Sequence, residues 1–115
     1  MDLFSSLINK NENLLSRDGI VNYYGRILKT EKADHCLETL LATITWRNDE
    51  AVIFGKKIIT KRKVAWYGDK PFEYSYSNII KTALPWTDYL LELKNITELE
   101  SGETFNSCLL NLYHN

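Results

Sequence analysis

Apolar residues recur at Ala33, Cys36, Leu37, Leu40, Leu41 and Ile44, the three-and-four spacing that lines one side of a helix. Thr30 stands where an N-cap belongs, so the pattern predicts an amphipathic helix with one buried stripe, closed by Trp46. A second helix is predicted from Pro85, with Trp86, Tyr89, Leu90, Leu93 and Ile96 on one side and Ser101-Gly102 at its end. Between and around these helices the pattern turns to strands. Ile20 to Tyr24 is β-branched and aromatic after the Asp18-Gly19 turn signal, and predicts a strand. Asn48-Asp49-Glu50 reads as a turn, and Ala51 to Ile59 as two short runs hinged at Gly55, a hairpin or a sharply bent strand. Arg62 to Tyr67 and Phe72 to Ser77 are two further strands, parted by the Gly68 to Pro71 turn. The last stretch, Phe105 to Asn115, is almost continuously apolar from Cys108 to Tyr113. That predicts a strand covered on both faces, in the middle of a core rather than at its edge. Met1 to Arg17 reads as a leader with a short helical turn at Leu3 to Ile8, and 18–115 as a single α+β domain.

Composition narrows the function classes. With 115 residues, 44% apolar and 25% charged, the chain has the make-up of an ordinary globular domain and not of a disordered one. The net charge of -1 hides an uneven distribution. From Gly55 to Lys70 six cations face Asp69 alone, whereas from Pro85 to Thr104 five carboxylates face Lys94 alone. A basic stretch is the electrostatic signature of a polyanion partner. Cys36 and Cys108 stand apart among apolar neighbours without metal-ligand spacing, and read as core side chains in a reducing compartment. No basic, apolar leader and no membrane-length apolar run is present, so the expected location is cytoplasmic, with no membrane partner.

Three groups of residues carry candidate chemistry. Phe54, at or beside the tip of the predicted hairpin and followed by Gly55, Lys56 and Lys57, is either folded back on its own strands or a wedge. A wedge would open a base step while the lysines hold phosphates. Phe72, Tyr74 and Tyr76 alternate with polar residues, so their rings share a face that is either one wall of a core or a stacking surface for bases. Asn111 and Tyr113 lie two residues apart on one strand face, and both can reach one ligand. The two histidines, His35 and His114, belong to no His-x-Asp pair, and no nucleotide or hydrolase fingerprint occurs.

Taken together, Ile53-Phe54-Gly55-Lys56, Arg62 to Asp69, Tyr74-Ser75-Tyr76-Ser77, Pro85-Trp86 and Phe105-Asn106 with Leu109, Asn111 and Tyr113 resemble the AlkB family. The resemblance is greatest to its branch acting on duplex DNA. It covers about two thirds of the chain and rests on the order and spacing of five motifs. The resemblance implies an Fe(II)- and 2-oxoglutarate-dependent dioxygenase that hydroxylates alkyl groups on base nitrogens, the product collapsing to an aldehyde and the repaired base. It implies the N-terminal part of a double-stranded β-helix, or jelly roll, with two backing helices and a nucleotide-recognition lid. Phe54 and Gly55 would form a finger that fills the gap left by a flipped alkylated base, with Lys56 beside the backbone. Arg62 would lie near the lesion-reading surface. Tyr74, Ser75 and Tyr76 would line the base pocket, and Asn111 and Tyr113 would bind 2-oxoglutarate.

The family's His-x-Asp pair, its distal His and its carboxylate-gripping arginines are not found after Tyr113 in these residues. The expectation is therefore that neither iron nor 2-oxoglutarate binds tightly to this chain alone and that it is inactive by itself. A non-catalytic nucleic-acid-binding role, extending to single strands, is the second expectation. An apolar terminal strand without an opposing sheet also predicts self-association through an unpaired sheet.

Overall fold

A computed structural model describes residues 8–76 and 79–114. The helical turn expected at Leu3 to Ile8 lies outside them, save for Ile8. The described elements are helix α1 (Thr30–Thr43), strands β1 (Arg47–Ile53), β2 (Lys56–Gly68), β3 (Glu73–Tyr76), β4 (Ile79–Thr82) and β5 (Leu84–Pro85), helix α2 (Asp88–Ser101) and strand β6 (Ser107–Leu112). The fold class is α+β, as the sequence predicts. The chain divides inside α1 into two compact units, one ending at Glu38 and the other beginning at Thr39. None of the described helices is long and apolar enough to cross a membrane.

In the first unit the strand expected at Ile20 to Tyr24 does not form. The Asn13 side chain explains why. Its Oδ1 accepts from the backbone amides of Leu15 (3.0 Å) and Val21 (2.8 Å), and its Nδ2 donates to the Gly19 carbonyl at 3.1 Å. An amide side chain thus takes up the backbone groups that a neighbouring strand would need.

The second unit is organised around β2, thirteen residues long. Its first part pairs antiparallel with β1, and Lys63 to Gly68 pair antiparallel with β6, from Lys63↔Leu112 to Gly68↔Ser107. Two parallel pairings, Tyr67↔Leu84 and Gly68↔Pro85, add β5. Strands β3 and β4 form a separate antiparallel hairpin. Asn48-Asp49-Glu50, expected to be a turn, is instead part of β1, because Asn48 pairs with Lys63 and Glu50 with Ile59 on either side of a break in register at Asp49.

Alternation along β2 sends Ala65 and Tyr67 to one face, where they meet Ile44 and Leu90 in the core. Leu40, Leu93, Cys108 and Leu110 pack around this cluster. The Tyr67 hydroxyl accepts from the Thr45 amide at 2.9 Å, so the buried phenol is satisfied. The α1 stripe is narrower than the sequence predicts. Cys36, Leu40 and Ile44 form the covered row, while Leu37 and Leu41 are 56% and 47% exposed. Burial pushes the Cys108 thiol above its ordinary value, which favours the unreactive protonated form.

Helix α2 begins at Asp88, three residues later than Pro85, which is held in β5. The start is fixed by Thr87, whose hydroxyl accepts from the Leu90 amide at 3.1 Å, and the end by Gly102 at φ 73°. Thr87→Ala should lower stability by about 1 kcal/mol, read as a lower denaturant midpoint with unchanged slope.

Strand β6 corrects the expectation of a doubly covered central strand. Cys108, Leu110 and Leu112 are half-buried, but Leu109 is 65% and Tyr113 70% exposed, and Asn111 is exposed too. Among the described residues β6 pairs with β2 alone. The helical layer packs against one face of the sheet; on the other, Leu109, Asn111 and Tyr113 are exposed while Val64 and Trp66 are half-buried.

Candidate nucleic-acid and cofactor interface

Strands β1 and β2 meet in a two-residue turn with Phe54 at φ 51° and Gly55 at φ 76°. Left-handed conformations at both central positions match the twist of a hairpin, and Asn-Gly is the usual occupant. Glycine fits Gly55 without strain. A phenylalanine at Phe54 does not, since its Cβ crowds the backbone there. Phe54 is nevertheless fully exposed, so the folded-back alternative is excluded. An apolar ring is held in solvent at the cost of local strain.

Lysines surround this tip unevenly. Lys57 pairs with Glu50 at 3.2 Å and Arg62 with Asp49, so the basic stretch is partly neutralised. Lys56, Lys61 and Lys63 make no ion pair among the described residues, which leaves their charges available to a polyanion.

On the sheet face away from the helices, Val64 stands across from Asn111 and Trp66 from Leu109. Tyr113, one residue past β6, lies beside Arg62. The Arg62 guanidinium carbon lies 6.0 Å from the centre of the Tyr113 ring. Arg62 is pushed above its ordinary value first by the Asp49 carboxylate and then by the Tyr113 hydroxyl, and remains a cation at every working pH.

The β3–β4 hairpin is anchored at its base. Phe72 stacks on Trp66 with centroids 6.5 Å apart, and the Ala83 amide donates to the Phe72 carbonyl at 2.8 Å. Gly68 is required by this contact, because a Cβ there would come within 2.9 Å of the Phe72 ring. Tyr74 is 58% exposed and stands across from Lys81, and Ser75 is exposed and stands across from Ile80. Tyr76 pairs with Ile79, and its side chain lies outside the described residues. Lys81 reaches Asp49 Oδ1 at 2.8 Å.

Asp49 and Lys81 were not legible as site residues. Asp49 falls in a stretch with a turn composition, and the contact to Lys81 spans 32 positions. The Asp49 carboxyl is held below its ordinary value, chiefly by its hydrogen bond from Lys81, with burial opposing and Arg62 assisting. A carboxylate whose folded value is depressed stabilises the fold above its unfolded value and loses that contribution as pH falls through the folded one. Attachment of the β3–β4 hairpin should therefore persist through the ordinary carboxylate range and fail only in stronger acid. Amide exchange at Tyr74 and Lys81 against pH would show this step, and Asp49→Asn should remove it.

Among the described residues no three His, Cys, Asp or Glu side chains come together in a way that could hold a metal ion. The described residues do not fit an iron centre. Asn111 and Tyr113 contribute a side-chain amide and a phenol, both exposed.

Comparison with known proteins adds to this geometry. No family profile matches the chain. The human protein named alpha-ketoglutarate-dependent dioxygenase alkB homolog 3 is 36% identical over 104 residues, which take in 88% of this chain and 36% of that protein. Its bovine counterpart is 37% identical over 86 residues, 74% of this chain and 29% of its own length. The chain belongs to the AlkB family of dioxygenases. Within that family it is also similar to the bovine DNA oxidative demethylase ALKBH2, 36% identical over 61 residues, 53% of this chain and 22% of that protein. The chain spans about a third of the length of the alkB homolog 3 proteins it matches.

Proposed function

We propose that this chain is the nucleic-acid-recognition part of a dioxygenase that uses 2-oxoglutarate and iron to remove alkyl groups from DNA bases oxidatively. The observation that carries the reading is Phe54, an apolar ring fully exposed on a strained hairpin tip. A bulky ring kept in solvent in a left-handed conformation gains nothing from burial, and such strain clusters at sites that meet a ligand. In this reading Phe54 and Gly55 fill the gap left by a flipped alkylated base in a duplex, and Lys56 lies along the phosphates. Tyr74, Ser75 and Tyr76 receive the extruded base, with Arg62 near the lesion-reading surface. Asn111 and Tyr113 would hold 2-oxoglutarate, which would supply the reducing electrons when bound. The sheet and its helical layer form part of a jelly roll, with β3–β4 as the lid. The alkB homolog 3 and ALKBH2 names support the cofactor and the DNA substrate respectively.

The alternative is a nucleic-acid-binding module without catalysis, for which Lys56, Lys61 and Lys63, without ion pairs among the described residues, supply the charge. Both readings require binding. Titrating the full chain with a labelled duplex carrying one methylated base should give saturable binding that weakens steeply between about 50 and 200 mM salt. A flat titration at low salt would remove both. Turnover of the methylated base on adding Fe(II) and 2-oxoglutarate would remove the non-catalytic alternative.

A further inference from the structure

We infer that Asp49 is a positioning residue that couples the β3–β4 hairpin to the sheet face bearing Tyr113. Its functional meaning rests on the reading above, in which those elements hold the base and the cofactor. Its geometry does not. Asp49 sits at the one break in register between β1 and β2, where Asn48 pairs with Lys63 and Glu50 with Ile59. A single β1 residue is thus opposed by Thr60, Lys61 and Arg62, a bulge that re-aims the side chains around it. The bulge is pinned from both strands. Thr60 Oγ1 donates to the Asp49 carbonyl at 3.1 Å, and Asn48 Nδ2 donates to the Thr60 carbonyl at 2.9 Å.

The Asp49 side chain, only 14% exposed, spends its two oxygens on cations from different elements. Oδ1 accepts from Lys81 on β4, and Oδ2 accepts from Arg62 on β2, whose guanidinium lies against the Tyr113 ring. An exposed ion pair would contribute little. A mostly buried carboxylate shared by two cations differs, because withdrawing one cation changes the charge and orientation offered to the other. Motion of the hairpin is thereby transmitted through Lys81, Asp49 and Arg62 to Tyr113, and ordering of Tyr113 is transmitted back with the same coupling.

The test uses the full chain and no nucleic acid, so its outcome is independent of whether DNA binds. Asp49→Asn should speed amide exchange at Tyr74 and Lys81 by about tenfold or more, while α2 amides keep their protection. Asp49→Glu should keep most of the hairpin's protection. Lys81→Met should move the ring resonances of Tyr113, and should cease to do so in the Asp49→Asn background. Lys81→Arg, which retains the charge, should leave Tyr113 in place. The inference is overturned if Lys81→Met leaves Tyr113 unmoved, if it moves Tyr113 equally without Asp49, or if Asp49→Asn speeds exchange uniformly through α2. Should Asp49→Asn fail to fold, the contrast between Lys81→Met and Lys81→Arg at Tyr113 decides alone. In a parallel titration Asp49→Asn should lose more affinity for methylated than for unmodified duplex. Absence of binding by the unaltered chain would sink the DNA reading and leave the coupling result standing.

Discussion

Replacing Phe54 with asparagine is expected to stabilise the protein while impairing its binding to DNA. Phe54 occupies the first left-handed position of a two-residue hairpin turn, which asparagine tolerates far better than an aromatic residue. Relief of that strain should raise stability by about 1 kcal/mol, visible as a higher denaturant midpoint. The ring makes no compensating contact that would be lost, since it is fully exposed. Binding should move the other way. Removing a ring that stacks in the duplex forfeits about 1–3 kcal/mol, or roughly fivefold to more than a hundredfold in affinity. Opposite signs for stability and binding are what a strained recognition residue requires. A variant that gains stability and binds the methylated duplex as before would show that the tip has no part in recognition.

Leu90→Ala is the substitution expected to damage the fold most. Leu90 is 3% exposed and belongs to a small buried cluster with Ile44, Ala65 and Tyr67. Loss of the side chain removes both its transfer energy and the packing of its neighbours, about 2–5 kcal/mol. A domain of this size has few other buried contacts to draw on. Thermal unfolding should shift down by ten degrees or more, on the order of 4–8 °C per kcal/mol. Leu99→Ala, on the same helix but 85% exposed, should change stability by no more than about 0.5 kcal/mol. Equal effects at the two sites would mean that the core is not where the cluster puts it.

Periodic elements were legible in the sequence because local spacing determines them. The 33–44 stripe and the row from Trp86 to Ile96 gave two helices in the right places, and Gly55 marked the hairpin. The features that were misread depend on partners distant in sequence. Asn48 to Glu50 has turn composition but is drawn into β1 by pairing with β2. Ile20 to Tyr24 has strand composition but meets the Asn13 side chain instead of a strand. The apolar run from Cys108 to Tyr113 suggested two covered faces, yet only the row containing Cys108, Leu110 and Leu112 is packed. Among the candidate site residues, Asn111 falls on the exposed row of β6 as alternation alone places it. The exposure of Phe54 did not, because composition is silent on whether a tip ring folds back. Asp49 was missed altogether, since its role arises from two cations that converge on it through tertiary contacts.

The central claim is that the hairpin tip enters a base stack. The measurement that tests it most directly is the fluorescence of 2-aminopurine placed beside a methylated base in a duplex, titrated with the full chain at low salt. Stacking quenches this probe, so insertion of Phe54 should raise its emission as binding saturates, and Phe54→Ala should bind more weakly with little or no rise. Saturable binding with unchanged emission would mean that the chain holds DNA by its lysines alone and that the Phe54 ring never enters the stack.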